Sequence, residues 1–354
     1  MTVGLFLALG DSFTNMKRTG QDVQFKEFYL QAYSKKFTKV LIFSYSDEKV
    51  SGLPSNVEII TNKFKLHRYL YALFLPLLRR NEIKKCDVIR AYHLSGTLPA
   101  VIAKFIFNIP FVFNYAFNYK RFAKIEKKYL QFFLSYFLEP LAKAYADKIF
   151  VANKSFRMKK SVFLPNGVNT SVYKPKKRNI HNFVKILSVG RLENQKNFQS
   201  LIIAVRNLKV LLLIVGNGSL KVSLLNLARK NHVNLKILDN VPNNKMPGVY
   251  NQSDIFVSPS KIEGSPKALL EAMSCALPVI GTNTEGTNNI IADGQNGLLS
   301  KEDNPSIRRS ILSLIKEPKV RLKLAKNARA FVKTNYELKP LLELEVKTVS
   351  SVAR

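Results

Sequence analysis

The sequence predicts an α/β protein built from two Rossmann-like domains, each a parallel sheet covered by helices. Three observations carry that prediction. The chain has 354 residues and 46% hydrophobic content, enough for two separate cores. An apolar run from Val3 to Leu9, a polar loop from Gly10 to Asp22, helical spacing from Val23 to Ser34 and a second apolar run from Lys39 to Tyr45 form a β-loop-α-β unit. The same order restarts at Val184 after a turn and a basic stretch. In such sheets ligands bind at the carboxyl ends of the strands.

Taken in order, Asp87 to Gly96 reads as a strand running into a loop that holds His93. The longest apolar segment, Pro99 to Phe117, contains Lys104, Asn108, Pro110 and Asn114, so it reads as helix, turn and strand and not as a membrane span. Asn114 to Tyr119 ends that strand in polar and aromatic groups. Two segments are both greasy and basic: Lys63 to Lys85, around Leu70–Leu78, and Lys120 to Lys143, around Tyr129–Phe137. Basic amphipathic helices of this kind either face a core with a solvated basic side or lie in a membrane interface. Leu164-Pro165-Asn166-Gly167-Val168-Asn169 is a turn, followed by the basic linker Lys174–Arg178. The expected domains are therefore 1–165, a linker 166–183, a second domain 184–335 and a terminal helix 336–354 that returns to the first domain.

Charge is the outlier of the composition. The chain has 56 Lys+Arg against 24 Asp+Glu, a net charge of +32. Up to residue 183 the balance is 31 to 11, and residues 151–183 hold eight basic residues and no acidic one. Such a field attracts phosphates, nucleic acid or an anionic membrane surface. Cys86 and Cys275 are too few for a disulfide framework and lack metal-ligand spacing. With the short, uncharged start of the Met1–Leu9 run, they lead to the expectation of a cytoplasmic protein, peripheral on the inner membrane face where the basic segments meet lipid.

The stretch from Val257 to Met273 reads as a strand end, a turn and a helix. Ser265 stands where an N-cap belongs and Pro266 where the first helical residue belongs. The helix start would then offer free N–H groups to an anion or sugar hydroxyl. Glu263 lies just before it, and Glu271 interrupts the apolar run Ala268–Met273, which is costly for a carboxylate without a partner. Upstream, Gly190-Arg191-Leu192-Glu193-Asn194-Gln195-Lys196 leads from a strand into a helix, so that Arg191 and Lys196 can grip a diphosphate from two sides. Gly216-Asn217-Gly218 lacks the remainder of a dinucleotide fingerprint.

The run P-S-x-x-E-G-S-P-K-A-L-L-E-A-M resembles the E-x7-E signature of retaining glycosyltransferases of the GT-B type, in the large family 4 group (glycosyl transferases group 1). G-R-x4-K, P-N-G-V-N, Val241-Pro242 after the Leu235–Leu238 run, Glu285-Gly286-Thr287 and Asp293–Leu298 follow that family's order. The resemblance is specific from about 164 to 300 and loose before that. It implies two Rossmann-like domains facing a cleft, with a UDP- or GDP-sugar donor in the second.

By resemblance Glu271 would hold the ribose hydroxyls, and Glu263, Gly264, Ser265 and Pro266 the sugar and phosphate. Val241 would hold the base and Leu270 would belong to the donor-binding set, while Arg191 and Lys196 would stabilise the leaving diphosphate. In the first domain Gly20 is the candidate for the family's loop glycine, and His93, one residue out of register with the family's histidines, for a sugar contact. The sequence has no D-x-D, and neither a metal nor a cofactor is expected. Acceptors implied are glycolipids, lipid-linked oligosaccharides or polysaccharides. Rival readings are a sugar-nucleotide epimerase or phosphorylase of the same plan, or a basic nucleic-acid-binding protein, which would need no carboxylate pair at a helix entrance.

Overall fold

The computed structural model describes residues 1–18, 20–176, 183–239 and 241–354. Thr19 beside Gly20, and Lys177-Arg178 of the basic stretch, lie outside them. The chain divides into two compact units, Met1–Leu164 with Pro340–Arg354, and Pro165–Lys339. Each is an α/β unit around one parallel sheet.

The first sheet contains β1 (Thr2–Phe6), β2 (Lys39–Phe43), β3 (Val57–Ile60), β4 (Val88–Ala91), β5 (Phe111–Tyr115), β6 (Lys148–Val151) and β7 (Ser161–Phe163). Their order is β3-β2-β1-β4-β5-β6-β7, with every pair parallel. The strands are apolar on both sides because helices cover both faces. Phe6, Phe43, Ile89 and Phe113 face a core closed by the helices Arg68–Leu78, Thr97–Phe107 and Tyr129–Tyr145. Val3, Leu5, Ile42 and Val112 face the other, closed by the helical stretch 22–36 and by Val346 and Val349 of the terminal helix.

That terminal helix is held by a buried charge. Arg90 Nε donates to Glu345 Oε1 at 2.8 Å, and Tyr33 Oη donates to the same oxygen at 3.0 Å. Asn114 Oδ1 takes a further Arg90 bond at 2.8 Å, and Tyr92 and Phe150 stack on the guanidinium. A fully desolvated arginine is tolerable only with partners of this number.

One expectation is corrected here. The stretch from Gly10 to Asp22 is not a plain loop, since it contains the helix Phe13–Arg18. Phe13 and Met16, three apart, fall on one face and are buried. The Glu48 carboxylate accepts from the backbone N–H of Phe13 at 3.0 Å and of Thr14 at 2.8 Å, an anion at a helix start.

The second sheet contains β8 (Val184–Val189), β9 (Val210–Val215), β10 (Leu235–Leu238), β11 (Ile255–Ser258), β12 (Val279–Thr282) and β13 (Leu298–Ser300), in the order β10-β9-β8-β11-β12-β13, again all parallel. Residues 166–176, expected to be linker, are packed into this unit. Val168 N–H donates to Tyr336 O at 2.8 Å, Tyr173 is buried in the core, and Lys176 N–H donates to Asn251 Oδ1 at 2.7 Å. Among the described residues no helix is long and apolar enough to cross a membrane.

Candidate functional site

In the second unit the chain leaves β8 outward to β9 and β10, then returns to build β11, β12 and β13 on the other side. The loops after β8 and β11 therefore part at their carboxyl ends, the place where open α/β sheets leave a crevice. Two hydrogen bonds stitch those loops. Lys261 N–H donates to Gln195 O at 2.8 Å, and Gln195 Nε2 donates to Ile262 O at 2.9 Å.

Across that stitch Lys196 Nζ meets Glu263 Oε1 at 2.5 Å, and Ser260 Oγ donates to the same oxygen at 2.7 Å. Glu263 is buried, with the ammonium partly open beside it. Arg191 is exposed on the same loop, its Nη2 donating to Gln195 Oε1 at 3.3 Å. Two charges of one sign thus stand at one strand end, one pinned by a carboxylate and one facing solvent.

Glycines make the loops' close approach possible. Gly216, at φ +151°, lies so close to Gly190 that an added Cβ would fall 1.9 Å from the Gly190 carbonyl oxygen. A Cβ on Gly286 would meet the Gly264 oxygen at 2.4 Å, so the loop after β12 seals the turn that carries Glu263.

The helix after β11 starts one residue later than the sequence reading placed it. Pro266 is the N-cap, with ψ 99° and no side-chain cap, and the helix is Lys267–Ser274. Ser265 does not cap, because Asn166 claims it. Ser265 Oγ accepts from Asn166 N–H at 3.0 Å, and Ser265 O accepts from Asn166 Nδ2 at 2.5 Å.

Glu271 has the partners its burial demands. Tyr250 Oη donates to Oε2 at 2.8 Å, and Lys267 Nζ stands 3.6 Å from Oε1. Burial, and then the Glu271 charge, push the Tyr250 and Tyr173 hydroxyls well above the ordinary tyrosine pKa. Gly264 is buried in the turn, Leu270 is wholly enclosed in the core and offers no open side chain, and Val241 packs partly buried at the core's edge.

His93 and Gly20 belong to the first unit. His93 sits at that sheet's own switch point, between β1 and β4, in the unusual backbone conformation φ 59°, ψ 167°. Its N–H donates to Asn114 Oδ1 at 3.4 Å, and Nδ1 stands 3.5 Å from Tyr119 Oη. Desolvation by the surrounding protein, then the Arg90 charge, pull its pKa down to about 4. Gly20, at φ +69°, donates to Lys17 O at 3.1 Å and ends the helix Phe13–Arg18, an ordinary stop glycine.

The glycine at the end of the first strand is Gly10, at φ +78°, which the sequence reading passed over although it directly follows the apolar run. Gln195, Ser260, Asn166 and Tyr250 were missed as well. Among the described residues no group of three or more His, Cys, Asp or Glu is placed to hold a metal ion.

Residues 171–331 match the family model of glycosyl transferases group 1. This stretch is similar to the glycosyl transferases group 1 family. Its match spans the whole Arg191–Glu271 constellation and runs into the helix Pro318–Asn335. An uncharacterized glycosyltransferase of Methanocaldococcus jannaschii is 28% identical over 53% of this chain and 55% of its own. The UDP-Gal:alpha-D-GlcNAc-diphosphoundecaprenol alpha-1,3-galactosyltransferase of Escherichia coli is 31% identical over 49% of each.

The chain spans about half the length of the curated relatives it matches. Among solved structures, the sucrose-phosphate synthase of Thermosynechococcus elongatus superposes with a TM-score of 0.85 over 99% of both chains, at 16% identity. At that identity the likeness speaks for the fold, and the fold is the GT-B architecture of two Rossmann-like units. In the glycosyl transferases group 1 stretch, the two loops that depart at the switch point are those that carry Lys196 and Glu263.

Proposed function

We propose that the protein is a retaining, family 4 type hexosyltransferase. It moves a sugar from a UDP- or GDP-linked donor to a hydroxyl of a lipid-linked saccharide or surface polysaccharide, beside an anionic membrane on its cytoplasmic side. The observation that carries this reading is the Lys196–Glu263 pair at the switch point, with Arg191 exposed beside it.

The chemistry follows from those charges. The bond from the anomeric carbon to the diphosphate oxygen breaks, and the electron pair stays on the diphosphate. The acceptor oxygen bonds to the anomeric carbon on the face the diphosphate leaves, and the acceptor proton departs with the diphosphate. Negative charge grows on the leaving group, and preorganised groups aimed at growing charge are usually the largest single contribution to catalysis. Arg191 and the Lys196 ammonium supply them, so the reaction needs no divalent metal. Lys196 keeps donors free for a phosphate while one is held by Glu263. Glu263, Gly264 and Ser265 hold the sugar and phosphate, Glu271 the ribose, and Val241 the base. In the first unit His93 is the candidate for a sugar contact.

The names of relatives support the substrate class, since the Escherichia coli enzyme is a UDP-Gal:alpha-D-GlcNAc-diphosphoundecaprenol galactosyltransferase. The test is incubation with UDP- and GDP-hexoses and a polyprenyl-diphosphate saccharide in the presence of a chelator. Nucleoside diphosphate release that depends on the acceptor, with a product whose anomeric configuration by NMR equals the donor's, is the expected result. Recovery of an epimerised donor would replace the proposal with the epimerase reading, and an inverted product would end the claim of retention.

A further inference from the structure

A helix on a globular unit normally turns its apolar stripe inward. The helix Tyr129–Tyr145 does the reverse. Its buried stripe is Ser135, Glu139 and Ala142, at i, i+4 and i+7. Glu139 is tolerated there because Lys143 Nζ stands 2.5 Å from Oε1 and Tyr115 Oη donates to it at 2.9 Å. The outward stripe is Tyr129, Phe132, Phe133, Tyr136 and Phe137, with Tyr129 78% and Phe133 61% exposed.

The stripe does not stand alone. The helix Thr97–Phe107 packs beside it and exposes Phe105 and Ile106, and the Phe105 ring meets Tyr145 at 4.5 Å. On the far side of Thr97–Phe107 lies the helix Arg68–Leu78. It buries Tyr71, Ala72 and Leu75 and turns Leu70, Leu73, Phe74 and Leu77 outward, again at helical spacing. Three adjacent helices over one face of the sheet therefore present apolar side chains to solvent, a pattern that marks an interaction surface.

The surroundings say which surface it meets. Between Lys63 and Asp147 the chain holds 15 Lys+Arg and five Asp+Glu. Three of those acids, Glu82, Glu139 and Asp147, are spent on Arg79, Lys143 and Lys104. Arg80, Lys84 and Lys85 are exposed at the end of one helix, and Arg121, Lys124 and Lys127 before the start of another. Lys120 lies over the Tyr136 ring at 4.8 Å, cation beside aromatic. A second copy of this chain, at +32, would be repelled by such a rim. Aromatic side chains between cations match the boundary of headgroups and acyl chains in an anionic bilayer.

We infer that this face of the first unit docks on an anionic phospholipid surface. The stripe of Tyr129–Tyr145 enters the headgroup–acyl boundary and the basic rim rests on lipid phosphates. The inference deepens the proposed function, resting on it for the lipid-linked acceptor, but it stands on residues apart from the donor site.

The experiment is flotation of the full chain with vesicles of phosphatidylglycerol and phosphatidylcholine, and with phosphatidylcholine alone, at low and high salt. Wild type is expected on the anionic vesicles only, less so at high salt. Phe133→Ser/Tyr136→Ser/Phe137→Ser is expected to lower partitioning about tenfold with the melting temperature kept, since each lost ring removes buried apolar area. Lys124→Glu/Lys127→Glu is expected to lower it further at low salt than at high salt.

The inference is overturned if wild type ignores anionic vesicles, if the triple variant binds them as wild type does, or if wild type is a dimer that the triple variant splits. Vesicle binding without sugar transfer would sink the proposed function alone. Acceptor-dependent transfer without vesicle binding would sink the docking face alone.

Discussion

Two helices of this molecule each bury a glutamate against a tyrosine hydroxyl and a lysine, but Glu271 has a partner on each oxygen whereas both partners of Glu139 meet Oε1. In Lys267–Ser274, Glu271 takes a hydroxyl from Tyr250 at 2.8 Å and has Lys267, four residues before it, at 3.6 Å. In Tyr129–Tyr145, Glu139 takes a hydroxyl from Tyr115 at 2.9 Å and has Lys143, four residues after it, at 2.5 Å. The settings differ. Around Glu271 the helix is packed into the core, with Leu269, Leu270, Ala272 and Met273 all enclosed, and it begins beside the Glu263 turn. Around Glu139 the aromatics face solvent. A buried, paired glutamate is thus not in itself a sign of a ligand site. In our proposals Glu271 is set apart by a helix that starts beside the Glu263 turn at the strand ends, and Glu139 by the exposed aromatics on the outer side of its helix.

The comparison can be broken at several points. The largest effect belongs to Lys196→Ala and Glu263→Ala, each expected to lower sugar transfer by about 10²–10³-fold, the cost of one aimed charge-stabilising group. Steady-state kinetics checks it, and vesicle binding should be untouched in both. Next, Tyr250→Phe removes a hydroxyl bonded to a buried carboxylate and is expected to cost about 1.5–3 kcal/mol in chemical denaturation. Tyr115→Phe should cost less, because Lys143 still holds Glu139 at 2.5 Å whereas Lys267 stands 3.6 Å from Glu271. An equal loss in the two would erase the distinction drawn between the helices.

A smaller effect concerns pH. His93 has a pKa of about 4 in the fold against 6.5 when unfolded, so the unfolded chain binds the extra proton first. Its contribution to stability is complete above pH 6.5 and is lost as pH falls toward 4. In His93→Gln, denaturant midpoints should fall less across that window than in wild type. The smallest effect expected is none: in the proposed site Arg191 and Lys196 take the diphosphate, so chelation should leave turnover unchanged, and a loss restored by Mg²⁺ or Mn²⁺ would contradict that.

What the sequence made legible was local. Strand, loop and helix around Arg191–Lys196 and around Glu263–Glu271 occupy a few residues each, so spacing alone placed them. The need of Glu271 for a partner could be read from the apolar run around it, but not the partner, since Tyr250 lies 21 positions away on another helix. Ser265 failed as a cap for the same reason: Asn166, 99 positions earlier, takes its hydroxyl and carbonyl. Arg90 finds Glu345 across 255 positions. The aromatic periodicity of Tyr129–Phe137 was visible, but its direction was not, because a serine, a glutamate and an alanine do not announce a buried stripe.

The measurement that bears most directly on the donor site is the melting temperature of wild type, Glu271→Gln and Glu139→Gln with UDP- and GDP-sugars, without added metal. Our reading requires one donor to raise the melting temperature of wild type and of Glu139→Gln, and to leave Glu271→Gln unmoved. A donor that stabilises all three equally, or none of them, would remove Glu271 from the site and with it the placement of the donor beside Lys196 and Glu263.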